Sequence, residues 1–206
     1  LLSPQQALIS MADDGFNRVA VQSLHSIPGE EFSALAATVR AFSDMPDGIE
    51  KISIGNPLLF TTQDLLTVSD ALIANFPKER KKNEMILFMG HGTPHPANVY
   101  YPALAQVLCR KDPNIRIATV EGWPELADIL PDLSAQESKT IYLMPFMSVA
   151  GDHARNDMAG DEPDSWKSIL ESQGLTVIPV LHGTAEFDEI VDIWIAHLQD
   201  ALKTIM

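Results

Sequence analysis

The sequence predicts an α/β fold built on largely parallel sheet. Six short apolar runs rich in Val and Ile alternate with amphipathic stretches, which is the pattern of successive βα units. Four of the six histidines, His25, His91, His153 and His182, fall at or just beyond the ends of those runs. In an open parallel sheet the carboxyl ends of the strands open onto the binding crevice. A chain of 206 residues that is 46% hydrophobic can also bury a real core, either in one large domain or in two small α/β halves.

The elements follow in order. Ser3, Pro4 and Gln6 read as an N-cap, a first-turn proline and a capping partner for an opening helix that Gly15 stops. A strand over 17–24 (NRVAVQSL) leads to a helix over 29–43, a strand over 49–54 (IEKISI) and a helix over 62–76. The stretch Pro77 to Glu84 (PKERKKNE) is the most polar and basic of the chain and has no apolar periodicity. A domain boundary there would divide the chain into 1–82 and 83–206, although a solvated loop between a helix and a strand fits the same residues. Strands are then expected over 85–90 (MILFMG), 115–120 (IRIATV), 139–145 (KTIYLMP) and 175–180 (LTVIPV), with helices over 97–110, 124–131, 163–173 and 186–204.

Composition removes several classes of function. A formal charge of −14 argues against a nucleic-acid or anionic-membrane partner, since both need a concentrated basic face. The single cysteine, Cys109, makes no internal disulfide and sits among apolar residues of an expected helix, where it reads as a small buried hydrophobe. No run of about 18 apolar residues appears, and LLSPQQALIS lacks the basic and apolar regions of a signal peptide. Because the chain opens at Leu1 and enters directly at a helix, a preceding segment is expected, and a cytoplasmic and a periplasmic location both stay open. No GxSxG elbow, phosphate-binding GxxxxGK[ST] or GxGxxG loop, or HExxH pair is present.

What remains is a set of nitrogen and oxygen donors at strand ends. His91 stands in FMGHGTPHP, where flanking glycines allow a sharp strand-to-loop turn and the approach of a large ligand; a hydrogen-bonded loop histidine would fit the same residues. Glu121 directly follows the run IRIATV, so its carboxylate should emerge at the same edge, unless it caps the next helix. His153 lies in MPFMSVAGDHARNDMAGDEPDSW, where Met144, Met147 and Met158 interleave with Asp152, Asp157 and Asp161. Soft, flexible methionines suit a broad flat apolar ligand and also serve as core filler. Two imidazoles and a carboxylate suit cobalt, nickel, iron or zinc and leave coordination positions open for substrate. His197, on the last helix, reads as an ordinary surface residue.

The stretches VQSLHSIPGEEF, FMGHGTPHPA, TVEGWPE, YLMPFMSVAGDHARNDMAGDEPDSW and IAHLQDAL make the chain resemble the anaerobic cobaltochelatases of the cobalamin pathway. These are the ATP-independent class II chelatases that act on sirohydrochlorin. The resemblance implies two similar α/β lobes with the active site in the cleft between them, and a last helix that packs back on the first lobe. It also implies that the first lobe lacks its opening elements here. It assigns His91, Glu121 and His153 as metal ligands and places a PGEE-motif glutamate, Glu31 rather than Glu30, in the active site. The expected partners are Co2+ as the inserted metal and sirohydrochlorin or a related tetrapyrrole, with no nucleotide, nucleic acid or membrane; a homo-oligomer is allowed.

Metal entry displaces two pyrrole protons, so a base must stand near the ion. His91 is expected to bind metal and take one proton, and Glu31 to receive the other. Arg155 is a candidate partner for a substrate carboxylate, in competition with an ion pair to Asp152 or Asp157. Met144, Phe146, Met147 and Trp123 are candidates for contact with the macrocycle. A chelatase for iron or nickel, or a carrier of metal or tetrapyrrole without chemistry, are the rival readings.

Overall fold

A computed structural model describes residues 1–45 and 48–206. The chain divides into two compact units, one formed by Leu1–Phe60 with Asp192–Met206 and the other by Thr61–Val191. The stretch 77–84 lies inside the second unit, where Arg80 Nη1 pairs with Asp112 Oδ2 at 2.8 Å.

The first unit holds α1 (Pro4–Asp13), β1 (Arg18–Gln22), α2 (Glu30–Ser43) and β2 (Lys51–Gly55). Helix α1 begins as its sequence requires: the Ser3 hydroxyl accepts from the Gln6 amide, and the Gln6 side chain accepts from the Ser3 amide at 2.9 Å. Strands β1 and β2 are parallel, with Val19 opposite Ile52 and Val21 opposite Ile54. Leu8, Val19, Phe42 and Ile49 form the core of this unit. The carboxyl-terminal part of α7 (Asp188–Lys203) joins it, since the Ser53 hydroxyl donates to the Ala201 carbonyl at 2.9 Å.

The second unit contains α3 (Thr62–Ala74), β3 (Met85–Gly90), α4 (Tyr100–Lys111), β4 (Ile115–Thr119), α5 (Leu126–Ser134), β5 (Thr140–Phe146), α6 (Trp166–Ser172) and β6 (Thr176–Pro179). Its four-stranded sheet is parallel throughout, in the order β4-β3-β5-β6. Every residue of β3 is buried, as a central strand covered on both faces demands. Met85, Leu87, Met89, Ile141 and Leu143 point to one face and pack with Leu126, Ile129 and Leu133 of α5 and with Trp166 and Leu170 of α6. On the other face Phe88 meets Phe146 edge to face at 6.4 Å, and Tyr101 of α4 meets Phe146 at 6.2 Å.

This order creates a switch point. From β3 the chain leaves through α4 to β4 on one side, whereas from β5 it leaves through α6 to β6 on the other. Adjacent strands whose connections diverge in this way leave a crevice beyond their carboxyl ends. In this sheet that pair is β3 and β5, the strands that end just before His91 and the His153 loop.

Candidate metal centre

His91 is the first residue after β3, and its position is stapled to the end of β4. The Glu121 amide donates to the His91 carbonyl at 2.8 Å, and the Val120 amide is shared between the Gly90 and His91 carbonyls at 3.1 Å each. Gly92 makes this approach attainable. It has φ +80°, and a Cβ there would lie 2.6 Å from the Gly122 nitrogen and 2.7 Å from the Thr119 Cβ. The backbone contacts therefore bring Glu121 beside His91, with Glu121 Oε2 3.9 Å from His91 Nδ1. Glu121 is not a helix cap: Glu125 holds the N-cap position of α5, where its amide donates to Asp128 Oδ2 at 2.8 Å.

His153 arrives from β5. The segment after Phe146 is tied to the turn after β6, because the Thr184 amide donates to the Met147 carbonyl at 2.8 Å and the Ala185 amide to the Ser148 carbonyl at 3.1 Å. A π-helical turn over His153–Met158 follows. Ala154 and Met158 anchor it in the core beside Met89 and Trp166, which leaves His153 on the outer side. The rings of His91 and His153 meet edge to face with centroids 4.8 Å apart.

Glu121 and His153 thus both come to stand beside His91 at the sheet edge. Donor chemistry also selects the nitrogens. His91 Nδ1 lies 3.1 Å from the Gly92 carbonyl, and His153 Nδ1 lies 2.5 Å from Asp157 Oδ2. Carbonyls and carboxylates only accept, so in a neutral ring the proton sits on Nδ1 and Nε2 keeps its lone pair for an ion. As the side chains stand, no group of three or more His, Cys, Asp or Glu among the described residues is arranged to hold a metal ion. Glu121 and His153 each stand beside His91, and the Glu121 and His91 side chains are 58% and 44% exposed.

The other sequence candidates are distributed differently. Glu31 belongs to the first unit, exposed in the first turn of α2 where the helix dipole favours a carboxylate. Arg155 is exposed and donates from Nε to the Ala150 carbonyl at 3.2 Å, while Asp157 is engaged by His153. Met144 and Phe146 are 1% and 0% exposed, with Met144 opposite Phe88 in the sheet, so their apolar surface is spent on the core. Met147 is half-buried and Trp123 is 63% exposed, so these two retain surface that a ligand could cover.

The remaining histidines have local partners. His25 Nδ1 shares a hydrogen bond with the Ser23 hydroxyl at 2.8 Å, and His95 Nδ1 accepts from the Ala97 amide at 3.1 Å to cap a 3-10 turn. His182 Nδ1 bonds Glu186 Oε2 at 2.8 Å. His197 is not the plain surface residue its helix suggests: it is half-buried, and its Nδ1 lies 3.2 Å from the Asn56 carbonyl. Sequence reasoning missed the pairing of His153 with Asp157. Its signal was present in the spacing of four along a helical turn, which brings two side chains onto one face.

Comparison with known proteins adds to this geometry. A family model described as cobalt chelatase (CbiK) matches residues 1–203. The chain is 46% identical over 200 residues to sirohydrochlorin cobaltochelatase CbiKC of Nitratidesulfovibrio vulgaris, across 97% of this chain and 71% of that protein. It is 38% identical over 202 residues to the sirohydrochlorin cobaltochelatase of Salmonella typhimurium, across 98% of this chain and 75% of that one. Among solved structures, SirB from Bacillus subtilis with Fe3+ aligns with a TM-score of 0.66 over 96% of this chain and 77% of its own; at 15% identity the likeness is one of fold.

Proposed function

The chain belongs to the cobalt chelatase (CbiK) family, and from that premise we propose that it is a lyase inserting Co2+ into sirohydrochlorin in cobalamin biosynthesis. The observation that supports the reading is the approach of one carboxylate, Glu121, and one imidazole, His153, to His91 at the edge of one parallel sheet, inside the stretch that matches the family.

The ion is a substrate and has to be released into the macrocycle. An open set of nitrogen and oxygen donors suits that task better than a closed thiolate cage, which would retain the ion. We assign His91, Glu121 and His153 to the ion, with Nε2 as the ligating nitrogen of each ring. As Co2+ enters, two pyrrole N–H bonds break and two Co–N bonds form in their place, so two protons must leave. His91 takes one on Nε2, the nitrogen freed as the ion passes to the ring. Resemblance to the family's PGEE glutamate assigns the other to Glu31. We assign no nucleotide to the reaction. Trp123 and Met147 supply apolar contact for the ring, and Arg155, free of an acidic partner among the described residues, suits a peripheral substrate carboxylate.

A single-turnover assay with sirohydrochlorin and Co2+ tests this. The protein should accelerate metallation, and His153→Ala should remove most of the acceleration while the folded signal by circular dichroism is kept. Tight binding of either substrate without acceleration would identify a carrier instead. Competition among Co2+, Fe2+ and Ni2+ in the same assay ranks the metals.

A further inference from the structure

Asp157 has no part in the reaction as assigned so far, yet its described bond is to a metal-ligand candidate. His153 and Asp157 stand four residues apart on the π-helical turn, joined from Nδ1 to Oδ2 at 2.5 Å, with side chains 37% and 48% exposed. Burial of Ala154 and Met158, both 0% exposed, fixes which side of the turn the pair occupies. The adjacent cation does not compete for the carboxylate, since Arg155 Nε is directed to the Ala150 carbonyl. An exposed side-chain pair of this kind contributes little to stability, so retention of the fold is not its main consequence. A carboxylate on Nδ1 does have a consequence for a ligand: it sets the tautomer, holds the ring plane and makes Nε2 a better donor.

We propose that Asp157 is the positioning residue of His153, holding its proton on Nδ1 so that Nε2 faces an incoming divalent ion. This rests on the reading of His153 as a ligand. The π turn supports the assignment, because such turns are rare and are frequently found at functional sites. The pairing also gives His153 a different support from His91, whose Nδ1 meets a neutral carbonyl. Loss of the Asp157 carboxylate should therefore be felt at the His153 ring and not at His91.

The test uses the full chain and Co2+ alone as probe. Long-range proton–nitrogen correlation spectra of the metal-free protein should show His153 as the Nδ1–H tautomer. In Asp157→Ala the ring should revert toward the Nε2–H form that free imidazole side chains prefer, and Co2+ affinity should fall about 10- to 100-fold. Asp157→Asn retains a neutral acceptor oxygen, so it should recover the tautomer and part of the affinity. A carboxylate that merely braced the turn would lower the melting temperature without moving the tautomer, and that result overturns the proposal. So does an Nε2–H ring in the unaltered protein, or an Asp157→Ala variant that binds Co2+ normally while His153→Ala does not. In that last case the ligand reading of His153 stands; if His153→Ala itself binds Co2+ normally, that reading fails and the proposal falls with it.

Discussion

At the scale of single residues, charge and hydrogen bonding decide what each histidine can do. His182 illustrates this, because its HGT context repeats that of His91 but its surroundings differ. It is paired with Glu186, whose carboxyl is held below its ordinary value of 4.5 first by the bond from His182 and then by the bond from the Gly183 amide. A carboxyl held low stabilises the structure while ionised: the contribution is complete above the ordinary value and is lost as pH falls through the depressed one. The turn that Glu186 closes is tied to Met147 and Ser148, so exchange of the Thr184 and Ala185 amides, corrected for intrinsic rate, should quicken in the acid range below about 4.5. In Glu186→Gln it should already be quicker at neutral pH and lack the acid step. For His182→Ala only a mild loss of Co2+ insertion is expected, since the Gly183 amide still holds the carboxylate; a loss as deep as that of His153→Ala would make His182 a ligand. None of these pairings could be read from residue type alone, because a histidine's partner is set by where its loop is folded.

At the scale of elements, the site is an outcome of strand ends being pinned to one another. The apolar runs in the sequence locate every strand of the second unit, and the observed β3 spans the expected 85–90. Period and composition suffice there because a central parallel strand must be apolar throughout. The glycines around His91 likewise announced a sharp turn, but their actual role depends on β4: Gly92 lets the His91 loop lie against Thr119 and Gly122. Alanine at that position would meet backbone and carry a positive φ, so Gly92→Ala should cost at least about 1–3 kcal/mol in chemical denaturation. Because the same contact holds His91 beside Glu121, Co2+ affinity should fall in the surviving folded protein as well. Normal Co2+ affinity in that variant would show that the His91–Glu121 approach does not depend on the staple. The strand reading also led to one misplaced emphasis. Met144 follows the methionine-rich pattern of a ligand surface, yet strand alternation turns it into the sheet interior, whereas Met147, one residue past the strand, is only half-buried.

At the scale of the whole molecule, a formal charge of −14 acts on the two substrates with opposite sign. It raises the local concentration of a divalent cation and repels a polycarboxylate macrocycle. Added salt screens both effects over a Debye length of about 8–10 Å near physiological ionic strength. Stopped-flow association of Co2+ should therefore slow as salt rises, while association of sirohydrochlorin should accelerate. Both rates moving in the same direction would mean that local groups such as Arg155, rather than net charge, govern capture.

By itself the sequence determined the α/β class, the order of the strands and α-helices with their approximate extent, and the appearance of His91, Glu121 and His153 at or beyond strand ends. Apolar periodicity is a local property, and a side chain placed just past a strand must emerge at its edge whatever the neighbours are. Only the tertiary structure decided that β3 lies between β4 and β5, so that these ends become adjacent, and that Asp157 and the Gly92 staple set the two rings. Strand pairing is chosen by hydrogen bonds and burial between distant segments, and the pattern within any one segment is the same for every partner it could have had.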